Sequence, residues 1–206
     1  MSPDVLSREQ QSALERLARA GVGSSYYLAG GVGLALRLAH RRSTDFDFFC
    51  PDKGPVLPLR DVLMALTGFR VLDERAGTLH GELDGVKVSF LAYPYPLLDP
   101  TQPIVAGIPV ASLHDLAAMK LSAIISRGRR RDFMDLHAIC RLMDLEEVVS
   151  AFRRKSGAMG YNPLTIAKAL VYFSDAEQDP VPVLLQPCDW NEVKRFFEIE
   201  VRRLWP

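Results

Sequence analysis

The chain has 206 residues, 25 Lys and Arg against 25 Asp and Glu, and a 48% share of hydrophobic residues. This composition excludes global disorder, collagen and low-complexity architectures, and the length is ample for a hydrophobic core. Zero formal net charge argues against a surface coated in basic residues for non-specific nucleic-acid binding, but leaves a local basic site open.

Ser7 is placed to cap a helix running to about Ala20, with Leu14, Leu17 and Ala18 as its apolar stripe and Gly21 as its stop. Tyr26 to Leu28 reads as a short strand, broken by Gly30-Gly31. Val32 to Leu38 reads as a helix that is apolar nearly all round, the pattern of a buried helix. Thr44 to Cys50 alternates as a strand, with Asp45 and Asp47 on one face and Phe46 and Phe48 on the other. A loop is expected from Pro51 to Pro58 and a helix from Leu59 to Leu66. Strands are expected over 69–72, 78–83 and 86–93. Asp84-Gly85 joins the last two as a tight hairpin, because its turn needs positive φ at both positions. A proline-rich connection from Pro94 to Pro103 leads to one more short strand at Ile108–Val110.

From Ser112 onward the pattern is helical. Helices are expected over 113–126, 131–143, 145–155 and 163–174, then from Asp189 to about Leu204 after a proline-rich segment from Asp179 to Pro187. Ser112 with Asp115, and Asp189 with Glu192, have cap-and-box spacing, and Asn162-Pro163 opens the fourth helix. The fold class is therefore α+β: a small mixed sheet flanked by helices over residues 1–110, and an all-helical region over 111–206 that completes a cleft.

Charges interrupt the apolar stretches before the ~18 residues that a membrane span needs, and the N-terminal segment lacks a signal-peptide pattern. Cys50, Cys140 and Cys188 are far apart and read as small buried residues of a cytoplasmic protein with reduced thiols. His40, His80, His114 and His137 have no metal-ligand spacing. Tyr93, Tyr95, Phe196 and Phe197 read as core or groove lining.

The residues with the strongest chemical pattern lie between Gly30 and Asp47. Two carboxylates at i and i+2 on a strand point the same way, with Cα atoms roughly 6.5–7 Å apart, so both reach one or two divalent ions. Mg²⁺ or Mn²⁺ takes oxygen ligands and keeps positions open for substrate phosphates. Gly30-Gly31 before a helix offers backbone N–H groups to a phosphate, Ser43 adds a hydroxyl, and Arg41 and Arg42 add charge. A dinucleotide fingerprint fails, because Leu36 stands at its third glycine position. Downstream, Lys120 falls on the core-facing line of its helix and must snorkel or meet an anion. Arg127, Arg129, Arg130 and Arg131 suit phosphate or RNA contacts, and Asp132 and Asp135 share a helix face.

The stretch from Leu28 to Phe49, together with Lys120 and the stretch from Arg127 to Leu136, resembles the AbiEii/AbiGii toxin family of the DNA polymerase β-like nucleotidyltransferases. The resemblance spans roughly residues 26–140. It implies transfer of a nucleoside monophosphate from an NTP to an acceptor hydroxyl, with RNA, tRNA-like, as acceptor and an antitoxin protein as partner. In that frame Asp45 and Asp47 hold Mg²⁺, Gly30, Gly31, Arg41 and Ser43 bind the nucleotide, Lys120 balances the triphosphate, and Asp132 is a catalytic base or orients the acceptor. The superfamily's third carboxylate is missing, because Ser89 stands at the matching place. Two other readings therefore stay open: a catalytically silent nucleotide-binding module, and a small-molecule nucleotidyltransferase acting on an antibiotic hydroxyl.

Overall fold

A computed structural model describes residues 5–51, 57–157 and 162–206. Ser7 caps helix α1 (Arg8–Arg19) in a full capping box: Gln10 N donates to Ser7 Oγ at 3.2 Å and Ser7 N donates to Gln10 Oε1 at 3.0 Å. Strand β1 (Tyr27–Ala29) runs directly into helix α2 (Gly30–Leu38), and strand β2 (Phe46–Cys50) returns beside β1. Helix α3 (Leu57–Met64) precedes strands β3 (Phe69–Arg75), β4 (Thr78–Leu83) and β5 (Val86–Ala92). Asp84 and Gly85 both take positive φ, 50° and 84°, as the hairpin between β4 and β5 requires. Strands β6 (Gln102–Val105) and β7 (Ile108–Val110) follow, then helices α4 (Leu113–Arg127), α5 (Arg130–Cys140), α6 (Leu145–Ser156), α7 (Pro163–Leu170) and α8 (Trp190–Leu204).

The seven strands form one mixed sheet in the order β3-β4-β5-β2-β1-β7-β6. β2 is parallel to β5 and antiparallel to β1, and β1 is parallel to β7. One face of the sheet, with Phe46, Phe48 and Phe90, packs on α1 through Leu14 and Leu17. The other face, through Tyr27 and Ala29, joins a second core with Leu121, Phe133 and Phe152 of the C-terminal helices. Helix α2 lies between the cores: Val32 and Ala35 belong to the first and Leu34 to the second. That placement explains why its sequence is apolar on every side.

Several boundaries differ from expectation. Strand β6 lies in the proline-rich connection; it holds Pro103 but pairs only with β7 at the sheet edge, where a missing N–H costs no ladder bond. Strand β2 starts at Phe46, so Asp47 lies within it and Asp45 just before it. Helix α7 ends at Leu170 rather than near 174. The loop expected over 51–58 falls largely outside the described residues, and α3 starts at Leu57. Among the described residues no helix is long and apolar enough to cross a membrane. The three cysteines are free, and burial pushes the Cys140 thiol up to about 12.

A buried ion pair fastens the connection after β5 to the helical region. Lys155 Nζ lies 2.6 Å from Asp115 Oδ1 and also donates to the Pro96 carbonyl at 2.8 Å. Ser112 Oγ donates to the other Asp115 oxygen at 2.7 Å. Breaking such a pair leaves a buried charge alone. Lys155→Met is expected to cost about 3–5 kcal/mol and to lower the calorimetric melting temperature by roughly 10 °C. Adding Asp115→Leu is expected to recover much of that loss.

Candidate active site

The candidate residues gather where the C-terminal end of β1, the start of α2 and strand β2 meet. Ala29 pairs with Asp47 across β1 and β2, so the residue after Ala29 lies against the Asp47 side chain. That residue is Gly30, with φ of 61°, and a Cβ there would collide with the Asp47 carboxylate. At Gly31 a Cβ would collide with Ser43 Oγ and meet an Arg41 guanidinium nitrogen at 3.0 Å. Both glycines are thus required by close packing of the motif on itself. Gln10 of α1 pins the far side: its Nε2 donates to the Ser43 carbonyl at 2.8 Å and the Thr44 carbonyl at 3.1 Å.

Beneath the motif lies a buried charge network. Lys120 Nζ is 3.0 Å from Asp132 Oδ1 and 2.7 Å from Asp135 Oδ2. Arg41 grips Asp135 bidentately, Nε to Oδ1 at 2.6 Å and Nη2 to Oδ2 at 2.7 Å, and His40 Nε2 is 2.7 Å from Oδ1. Arg127 closes on Asp132 with Nε to Oδ2 at 3.0 Å. Both carboxylates are fully buried. Burial alone would push the Asp135 carboxyl up, but the Lys120 ammonium and hydrogen bonds from Arg41 and His40 hold it well below the usual carboxylate range.

Asp47 shows the opposite balance. Desolvation raises its carboxyl and the Asp45 charge raises it further; Lys120, Arg127 and Arg131 pull it down only in part. Beside Asp45 opens a cleft of about 450 Å³, lined by Arg41, Arg42, Ser43, Thr44, Asp45, Arg127, Arg129, Arg131 and residues 179–183. Arg129 is paired with Asp179 at 2.8 Å. The 179–187 segment is held to the motif by Arg42 N donating to the Val183 carbonyl at 2.8 Å and Leu185 N to the His40 carbonyl at 2.9 Å.

Three of the expected site residues are engaged by the protein itself. Arg41 borders the cleft but is 4% exposed, with its guanidinium committed to Asp135 and the Arg42 carbonyl, so it anchors the motif. Arg130 stacks on Trp190 and donates to the Ala176 and Glu177 carbonyls, turned away from the cleft, whereas Arg127, Arg129 and Arg131 line it. Asp132 has no exposed surface and its oxygens are taken by Lys120 and Arg127, so it positions two cations. Sequence reasoning gave Asp135 no role at the site, although it shares a helix face with Asp132. The 179–183 wall left no local signal, because it arrives from far along the chain.

A metal fits the donor set in one way. Among the described residues no group of three or more His, Cys, Asp or Glu side chains is arranged as a metal cage. Asp45 and the desolvated Asp47 instead form the two-carboxylate arrangement that suits Mg²⁺, whose remaining ligands are waters and substrate phosphates.

Residues 83–203 match the family model described as Nucleotidyl transferase AbiEii toxin, Type IV TA system. The chain belongs to the AbiEii family. The match starts after Asp47, so the segment carrying the two carboxylates is related to known proteins through wider comparisons. The chain is 38% identical over 202 residues to the uncharacterized protein aq_aa25 of Aquifex aeolicus, covering 96% of both chains. Its fold is similar to MenT4, a nucleotidyltransferase toxin from Mycobacterium tuberculosis (TM-score 0.61, 19% identity, 96% of this chain and 86% of that one). JHP933 from Helicobacter pylori is similar at a TM-score of 0.56, 19% identity, over 97% of this chain and 93% of that one. The antibiotic-resistance factor ANT(2'')-Ia is similar over 71% of this chain and 91% of its own, with a TM-score of 0.52 and 16% identity. The AbiEii assignment and the nucleotidyltransferase fold thus agree with the resemblance read from the sequence.

Two variants separate the roles of the carboxylates in this AbiEii chain. Asp47→Asn relieves a desolvated charge beside Asp45, so the metal-free protein is expected to melt roughly 2–4 °C higher while losing any Mg²⁺-induced rise in melting temperature. Asp135→Asn strands Arg41 and Lys120 and is expected to destabilise by about 3–5 kcal/mol at neutral pH. The folded carboxyl of Asp135 is lowered, so its stabilisation is complete above the unfolded value near ~4 and lost as pH falls below it. Denaturant titrations from pH 7 down to pH 3 are therefore expected to show a constant gap between the wild type and Asp135→Asn above about pH 4, narrowing by about 1 kcal/mol toward pH 3.

Proposed function

We propose that this AbiEii-family protein moves a nucleoside monophosphate from an NTP to an acceptor hydroxyl, with Mg²⁺ or Mn²⁺ held by Asp45 and Asp47. The observation that carries this reading is the surroundings of Asp47: a desolvated carboxylate beside a second one, seated on Gly30 and faced by Lys120, Arg127 and Arg131. Paired carboxylates in such a place are uncomfortable alone and fit a site that a divalent cation and a phosphate chain complete. The cation, when bound, supplies charge neutralisation at the transferring phosphoryl group. The chain's own groups do the rest. Backbone N–H groups at Gly30 and Gly31 and the Ser43 hydroxyl bind the outer phosphates, at the positive end of α2. Lys120, held in place by Asp132 and Asp135, balances their charge.

The acceptor is RNA, tRNA-like, on the charge of the cleft. Arg42, Arg127, Arg129 and Arg131 line it, and of its two acids Asp179 is already engaged by Arg129. That wall attracts a polyanion. It repels a polycationic aminoglycoside of the kind bound by ANT(2'')-Ia, whose complex contains adenylyl-2''-tobramycin. The toxin family points to a cognate antitoxin protein as a partner. Ser89 favours one other reading, a nucleotide-binding module without turnover, because a neutral hydroxyl stands beside Asp47 on β5.

The test is incubation with each labelled NTP, Mg²⁺ and total tRNA. One NTP is expected to label the RNA. Asp45→Asn and Asp47→Asn are each expected to lower the rate at least ~10²–10³-fold, and Lys120→Met to raise KM for the NTP. Calorimetric binding of an NTP with no labelling by the wild type would establish the silent module instead.

A further inference from the structure

The sheet carries a polar row that continues past Asp47. Asp47 pairs in register with Ser89 on β5, and Ser89 pairs in register with His80 on β4. Cross-strand partners project from the same face of a sheet, with neighbouring strands ~4.8 Å apart. His80 Nδ1 lies 2.9 Å from Ser89 Oγ, and both residues are half-buried. Nothing in the packing requires a histidine there: the apolar contacts of β4 are made from the opposite face by Leu79 and Leu83.

The order of the row supplies a direction. Gly30, which follows the β1 partner of Asp47, lies on one side of that carboxylate, and Ser89 and His80 lie on the other. In-line phosphoryl transfer puts the leaving and attacking oxygens on opposite sides of the phosphorus. With the outer phosphates on the Gly30–Gly31 side, the acceptor hydroxyl arrives over Ser89. We propose that the Ser89–His80 pair receives the acceptor hydroxyl and removes its proton, Ser89 as the residue that touches the acceptor and His80 as the base acting through it. This rests on the transfer reading above.

The step balances. The acceptor oxygen forms its bond to the α-phosphorus as the bond from that phosphorus to the pyrophosphate oxygen breaks, and pyrophosphate leaves with the electron pair. The acceptor proton passes to Ser89 Oγ while the proton of Ser89 passes to His80 Nδ1. The charged groups sharing the face are Asp73, in the same row on β3 and paired with Arg75 at 3.0 Å, and the next row of Glu82 and Lys87, with Glu82 held by Arg70 at 2.9 Å.

The experiment measures transfer by wild type, Ser89→Ala, His80→Ala, His80→Asn and Asp47→Asn with total tRNA, beside calorimetric binding of the NTP with Mg²⁺ and melting temperatures. Ser89→Ala and His80→Ala are expected to lose about 10²-fold or more in kcat, with NTP affinity within threefold of wild type and folding intact. Imidazole in solution is expected to restore part of the His80→Ala rate. His80→Asn, which keeps a hydrogen-bonding group but no base, is expected to stay slow. Rates within threefold of wild type for Ser89→Ala and His80→Ala, with Asp47→Asn inactive, overturn the inference and leave the transfer reading standing. A wild-type rate for His80→Asn overturns the base role. Absence of transfer by the wild type with every NTP overturns both.

Discussion

The interaction on which the site depends is the buried bridge of Lys120 between Asp132 and Asp135. It draws together three parts of the chain: α4 supplies the lysine and, at its end, Arg127, α5 the two carboxylates, and the segment after α2 His40 and Arg41. Charges taken out of water are costly, and the cost is offset only when each is paired and hydrogen-bonded. Here Asp135 faces three donors and Asp132 two. The network therefore has one low-energy geometry, and in adopting it the helical region fixes the strand-to-helix motif from beneath.

Close packing finishes what the charges begin. Arg41, fixed by Asp135, lies under Gly31, and Ser43 packs on the same glycine, while Gly30 lies directly on Asp47. Gln10 holds the carbonyls of Ser43 and Thr44 from the other side. A helix apolar on all sides, α2, joins the two cores, so its N-terminus cannot shift without disturbing both. Preorganisation of this kind lets a site present dipoles and hydroxyls to a phosphate chain without paying to reorganise at the moment of reaction.

The electrostatics divide by depth. The buried layer is close to balanced, and Asp135 is held low by its partners. The layer above it is not: Asp47 is raised by burial and by Asp45, and the cleft walls carry Arg42, Arg127, Arg129 and Arg131. Zero net charge over the whole chain conceals this separation. Stability lies chiefly in the lower layer, from which Lys120 also acts on Asp47, and the upper layer is the strained one, which is why Asp135→Asn and Asp47→Asn are expected to move stability in opposite directions.

Local signals in the sequence determined much of this. Caps at Ser7, Ser112, Asn162 and Asp189, the positive-φ pair Asp84-Gly85, and the alternation around Asp47 are short-range features, and they produced the corresponding elements. The periodicity of α4 put Lys120 on a core-facing line, where an ammonium must snorkel or meet an anion, and it met one. Which anion it met was decided by tertiary structure, through the approach of α4 and α5. The same holds for Arg41 and Arg130: their sequence neighbourhood marks them as basic, but only long-range contacts engage Arg41 with Asp135 and turn Arg130 onto Trp190. Sheet register likewise brought Asp47 beside the Ser89–His80 pair: the Asp84-Gly85 turn joins β4 to β5 locally, but no local pattern specifies that β2 pairs with β5. Composition and periodicity act over a few residues and set what each segment becomes; the partner of a buried charge is set by which segments come together, and that is a property of the whole fold.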